Sequence, residues 1–115
     1  MALLFSTNVP QQLLNDFKTK ISQGHIVTWE CDADGDFTHL TDQWRGKAYL
    51  RPSIDIGGLR LNILGHSKFV TSWAIYGIYQ GRFIESMTTH CNQLFTNATA
   101  TAQPTNADVI TTKAA

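Results

Sequence analysis

The sequence predicts an α+β domain: an N-terminal helix, an antiparallel meander of about five short strands, a C-terminal helix and a flexible tail. Three observations predict it. Leu13, Leu14, Phe17 and Ile21 recur at helical spacing near the start, and Phe83, Met87, Cys91 and Leu94 do so near the end. Between them apolar and polar residues alternate with period two, the mark of half-buried strands. Turn signals at Asp34-Gly35 and Gly57-Gly58 cut that alternation, and strands joined by such short links favour antiparallel neighbours.

Residues 9–23 read as the first helix, with Asn8 as N-cap, Pro10 in the first turn and Gly24 just past the end. His25 to Cys31 reads as the first strand, with Val27, Trp29 and Cys31 on one face and Ile26, Thr28 and Glu30 on the other. Phe37 to Thr41 returns, and Gln43 to Gly46 turns again. Lys47 to Arg51 is the third strand, with Ala48 and Leu50 on one face and Lys47, Tyr49 and Arg51 on the other. Pro52 cannot donate to a ladder, so that strand ends there or lies at an edge. Leu59, Leu61 and Ile63 alternate with Arg60 and Asn62 in the fourth, and residues 65–70 connect onward. Thr71 to Tyr79 reads as a fifth strand that is apolar on both faces, which requires cover on both, by helices, by the tail or by a second subunit. Gly81 to Phe95 is the second helix, with Arg82 and Glu85 as an i, i+3 pair. From Thr96 onward Thr, Ala, Asn, Gln and Pro dominate, too few apolar groups to offset ordering entropy. The expected domain is therefore 8–95, with 96–115 as the flexible tail.

Composition narrows the function classes. Of 115 residues, 43% are apolar and 16% charged, which are globular values. Nine Lys and Arg balance nine Asp and Glu. Proteins that track phosphate backbones usually carry a basic excess, so nucleic acid is an unlikely partner on this count. A charge near zero also leaves little self-repulsion, which favours self-association. Cys31 and Cys91 form no CxxC and no zinc spacing, and read as free thiols of a reducing cytoplasm. The apolar start Met1 to Phe5 has no basic flank and is too short for a signal peptide, and no run is long enough to span a membrane.

The most acidic stretch, Asp32 to Asp36, is the first candidate site. Asp32, Asp34 and Asp36 match the first three ligand positions of a calcium loop, but Phe37 and Gln43 stand where that loop needs Gly and Glu. Asp34 to Thr38 also matches the short DxDxT pattern of haloacid-dehalogenase-type phosphatases, which needs a buried apolar strand before it and a much longer chain. The plain alternative is a hairpin whose Asp side chains make local turns. His39 follows on the same hairpin, where a neighbouring carboxylate would raise its pKa and fit it for acid–base work. No nucleophile elbow, phosphate loop, metal motif or cofactor motif is present in the sequence. Trp44, Arg51, Tyr76 and Arg82 belong to the residue types enriched in binding hot spots, and otherwise read as an aromatic core covered by Arg stems.

The runs Trp29 to His39, Gln43-Trp44 with Lys47 to Pro52, and Tyr76 to Glu85 together resemble a family of small uncharacterised bacterial proteins. The resemblance covers about residues 9–95. It implies a bacterial cytoplasmic protein and carries no activity, cofactor or catalytic residue.

The expected function is a non-catalytic binding or self-associating module, a homodimer or the partner of another protein. The alternative is a small-molecule or metal-binding domain, enzymatic or not, with its site at the Asp32–His39 hairpin. Its residues would be Asp34, Asp36 and His39, joined by Arg51 or Arg82. No cofactor is expected.

Overall fold

A computed structural model describes residues 2–115. The chain forms β1 (Ala2–Ser6), α1 (Pro10–Ser22), β2 (Trp29–Cys31), β3 (Phe37–His39), β4 (Ala48–Asp55), β5 (Gly58–Gly65), α2 (Trp73–Cys91) and β6 (Asn97–Ala100). The strands make one antiparallel six-stranded sheet in the order β2-β3-β4-β5-β1-β6. This is the α+β fold that the alternation and the two helical stripes imply. The meander holds from β2 to β5. At its far edge the strand order departs from the chain order, because β1 and β6 complete the sheet there.

α1 starts one residue later than expected. Val9 is the cap and offers no side-chain hydrogen bond; Pro10 takes the first helical position, where its missing N–H costs nothing. The end follows the sequence signal. Gly24 adopts φ +79° and its N–H reaches Ile21 O, while His25 N reaches Lys20 O, the paired bonds that close a helix at a left-handed residue. β2 is shorter than expected: Trp29 and Ile26 are buried and Val27 is exposed, so the chain straightens only at Trp29. β4 runs past Pro52 to Asp55. β3 meets β4 only at Phe37 opposite Leu50, so beyond that point β4 is a local edge and proline leaves no ladder bond unmade.

Thr71 to Tyr79 is not a strand. Trp73 to Cys91 is one helix, capped by Ser72, whose hydroxyl accepts from Ile75 N at 3.1 Å. Ile75, Tyr76, Tyr79, Phe83, Met87 and Cys91 are buried at helical spacing, so the stripe read from Phe83 onward begins two turns earlier. The two-sided apolar strand that motivated a second subunit therefore disappears. Ile75, Tyr76 and Tyr79 face the sheet instead, while Trp73 stays exposed at the start of the helix. Phe83 is the hub of this layer. It is fully buried, and its ring lies 4.8 Å from Phe17, 5.1 Å from Trp29, 5.5 Å from Phe37 and 6.0 Å from Phe5. Phenylalanines buried like this cost roughly 3–5 kcal/mol when truncated.

Both chain ends add strands that the sequence reading did not place. Leu3 and Phe5 are fully buried and pair opposite Leu61 and Leu59. Gly58, at φ +141°, lets the β5 backbone come against Phe5 and Thr7; a Cβ there would lie 2.9 Å from Thr7 N. The segment expected as a flexible tail holds β6, which pairs with β1, and then returns to β5. Val109 N donates to Ile63 O at 2.9 Å and Gly65 N to Val109 O at 2.6 Å, a parallel bridge that takes over where β1 ends. The Asp108 carboxylate accepts from Asn62 Nδ2, Ile63 N and Thr105 N at 2.8, 3.0 and 2.6 Å. Ala98 and Ile110 are the segment's only apolar residues packed against the core, and polar groups do most of the rest, which is why hydropathy did not find it.

The sheet has two unlike faces. Phe5, Trp29, Phe37, Leu50, Leu59 and Leu61 point toward α1 and α2 and form the core. The other face carries no helix among the described residues and presents Glu30, Asp36, Lys47, Tyr49, Arg51 and Arg60. No helix in the described residues is long and apolar enough to cross a membrane.

Candidate functional site

The acidic hairpin is built around Asp32. Its Oδ1 accepts from the backbone N–H of both Asp34 and Asp36 at 2.9 Å, and Gly35 takes φ +86° at the turn. This is the local Asp turn weighed as the plain reading. Asp36 then points to the uncovered face of the sheet, where Arg51 stands across from it. Arg51 donates from Nε at 2.9 Å and Nη2 at 2.8 Å, one bond to each carboxylate oxygen. The pair is lopsided: the Asp36 side chain is 6% exposed and the Arg51 side chain 55%. One oxygen from each of Asp32, Asp34 and Asp36 falls within 4.8 Å of the others, which is ligand-like spacing. Yet both Asp36 oxygens face the guanidinium and one Asp32 oxygen faces two amides. Those groups occupy three of the six carboxylate oxygens.

His39 lies on the opposite face. Alternation along β3 sends Asp36 and Thr38 one way and Phe37 and His39 the other. The imidazole is buried beside Trp29, 4.6 Å between ring centres, with Tyr79 at 6.0 Å. Nδ1–H donates to Thr28 O at 2.8 Å, since a carbonyl can only accept, which leaves Nε2 to accept from the Thr41 hydroxyl at 2.7 Å. Burial pushes the His39 pKa down; the Thr28 carbonyl works against this, Arg82 adds to it, and Glu85 and Asp42 oppose it. The histidine is thus held neutral, with both ring nitrogens occupied, as a tie between β2, β3 and the turn at Thr41. The pKa runs opposite to the rise expected from the acidic loop, because that loop's carboxylates lie across the sheet.

The remaining sequence candidates divide in the same way. Trp44 is half-buried against the core, and its carbonyl accepts from the Tyr79 hydroxyl at 2.6 Å. Tyr76 is buried on the sheet side of α2, and Arg82 is exposed on the same helix. Asp34, Asp36 and Arg51 come together; His39, Trp44, Tyr76 and Arg82 sit on the helical side.

A second cluster lies on the uncovered face, at the end where β4 begins and β5 ends. Tyr49 and His66 are near-parallel at 21°, with ring centres 6.1 Å apart. His66 lies 5.2 Å from Phe69, and the Lys47 ammonium sits 3.7 Å above the Phe69 ring. His66 Nδ1 accepts from Lys68 N at 3.1 Å, which holds the turn after β5 over the sheet end. The sequence placed Lys47, Tyr49 and Arg51 on one face but read residues 65–70 only as a connection. The register would have found the rest: Ala48 pairs with Gly65, so His66 falls opposite Lys47. No pocket is found among the described residues, so these groups meet on an open surface.

The chain matches no protein-family model, no curated protein and no solved structure. Function is therefore read from geometry alone.

Proposed function

We propose that this is a small non-catalytic binding domain whose docking surface is the uncovered face of the sheet. One observation carries the reading. Both helices pack on the same side, and the other side displays Tyr49, Arg51 and Arg60 on paired strands, set among the shorter Ser53 and Asn62. Tyrosine and arginine are the side chains most enriched where proteins bind, because they combine broad contact area with directed hydrogen bonds. The ion pairs Arg51–Asp36 and Arg60–Asp55 stiffen that surface before any partner arrives. The competing reading, chemistry at the Asp32–His39 hairpin, needs Asp36 and His39 on one side, and they lie on opposite sides of β3.

Site-directed photo-cross-linking in the native cell tests this. A photoreactive residue at position 49 or 60 should capture a partner, and one at Gln12 or Thr19 on the exposed side of α1 should not. An adduct of twice the chain mass at position 49 would identify the partner as a second copy. Capture confined to α1 would overturn the reading.

A further inference from the structure

We propose that the Lys47–Phe69 end of this face binds single-stranded nucleic acid; the assignment rests on the docking-face reading above. Its first support is the ring ladder. Tyr49, His66 and Phe69 follow one another at 6.1 and 5.2 Å and each is only partly buried; Lys47 takes one face of Phe69, so Tyr49 and His66 are the rings open to a base. An open sheet with adjacent rings is a platform on which unpaired bases stack, whatever their sequence, because every base has a flat face. A duplex hides those faces, so it gains nothing from the rings.

The second support is charge placement. The chain is neutral overall, but its ion pairs are not evenly spread. Lys20 is paired with Asp16, Arg51 with Asp36 and Arg60 with Asp55. Lys47 and Lys68 flank the ring ladder, one over the Phe69 ring and one bonded through its backbone to His66, and take part in no ion pair among the described residues. Lys47 instead lies on the face of Phe69, which holds its ammonium in place and leaves its outer side to water. Net charge argued against a polyanion, but it is an average over the whole chain and does not describe the two lysines at this end. An acidic peptide would satisfy the two lysines but would leave the rings unused.

The test is fluorescence anisotropy of a labelled oligo-dT of about fifteen nucleotides, titrated with the full chain at low salt. Binding is expected, with log affinity falling against log salt at a slope of about −1.4, near −0.7 for each of two phosphate contacts. Tyr49→Leu should weaken it about tenfold or more. The double variant Lys47→Gln with Lys68→Gln, on exposed or half-exposed positions, should also weaken it and lower the slope. Lys18→Gln on α1 should change nothing, and the matching duplex should bind less well. Three results overturn the proposal: no anisotropy change, binding indifferent to these variants, or equal and equally variant-sensitive binding of an oligo-glutamate peptide. If position 49 still cross-links a protein in cells, the docking face survives and only its occupant is wrong. If neither experiment gives a signal at this face, both readings fall.

Discussion

Gly77 and Gly81 offer a sharp test of the assignment of Trp73–Cys91 as one helix. Both lie inside α2, both are exposed, and a Cβ built on either meets nothing within 4 Å. Neither has a positive φ. Alanine therefore fits without strain and removes backbone freedom from the unfolded chain. Each replacement should stabilise by about 0.5–1 kcal/mol, and the pair by about 1–2 kcal/mol. At roughly 2.1 cal/mol/K per residue, 115 residues give an unfolding entropy of about 0.24 kcal/mol/K. The midpoint of the double variant should then rise by about 4–8 °C. Thermal unfolding followed by circular dichroism at 222 nm reads both the midpoint and the helical signal. A strand at 71–79 would also gain from losing a glycine, so the ellipticity at 222 nm, which the replacements should hold or raise, is what separates helix from strand. An unchanged or lowered midpoint would refute the helix-interior reasoning.

Two further outcomes follow from the same structure. A chain stopped at residue 95 loses β6 and the Asp108 anchor, several hydrogen bonds at about 1 kcal/mol each, so its urea midpoint should fall well below that of the full chain; a dispensable tail would leave it unchanged. His39 should make stability pH-dependent. Its folded pKa lies below the unfolded value near 6.5, so between the two the unfolded chain binds more protons, and stability is lost as pH falls below about 6.5. Urea unfolding at about pH 7.5 and about pH 5.5, above the carboxylate range, should show that loss in the wild type and a smaller one in His39→Gln. Equal slopes for the two proteins would count against a buried neutral histidine.

What the sequence made legible was whatever depended on local periodicity. α1, the Asp34-Gly35 and Gly57-Gly58 turns and the alternation of β5 each announce themselves within about ten residues. The misreading of 71–79 has a specific cause. Trp73, Ile75, Tyr76, Ile78 and Tyr79 are strand formers, and Gly77 and Gly81 interrupt a helical pattern, so propensity pointed one way while packing against the sheet went the other. The helical period Ile75, Tyr79, Phe83, Met87, Cys91 was present but was read only from Phe83. β1 and β6 were hidden because their partners are far away: Leu3 needs Leu61 on one side and Ala100 on the other. At the candidate site, alternation alone separates Asp36 from His39, so their division between two faces was legible in principle. The Lys47–Phe69 cluster was not, because it depends on how a loop folds back over a strand end.

The position of β1 has a consequence during synthesis. It leaves the ribosome first among the strands, yet in the sheet it lies between β5 and β6. Its partners on one side are residues 58–62, and on the other residues 97–100. At about 5–20 residues per second, the run Ala2-Leu3-Leu4-Phe5 waits on the order of 5–20 s for its second edge to be covered. The meander from β2 to β5 can pair locally as it emerges, whereas β1 must be brought back across a long loop. Nascent chains should therefore carry an apolar strand with one open edge until residues 97–100 have emerged, a natural handle for a chaperone.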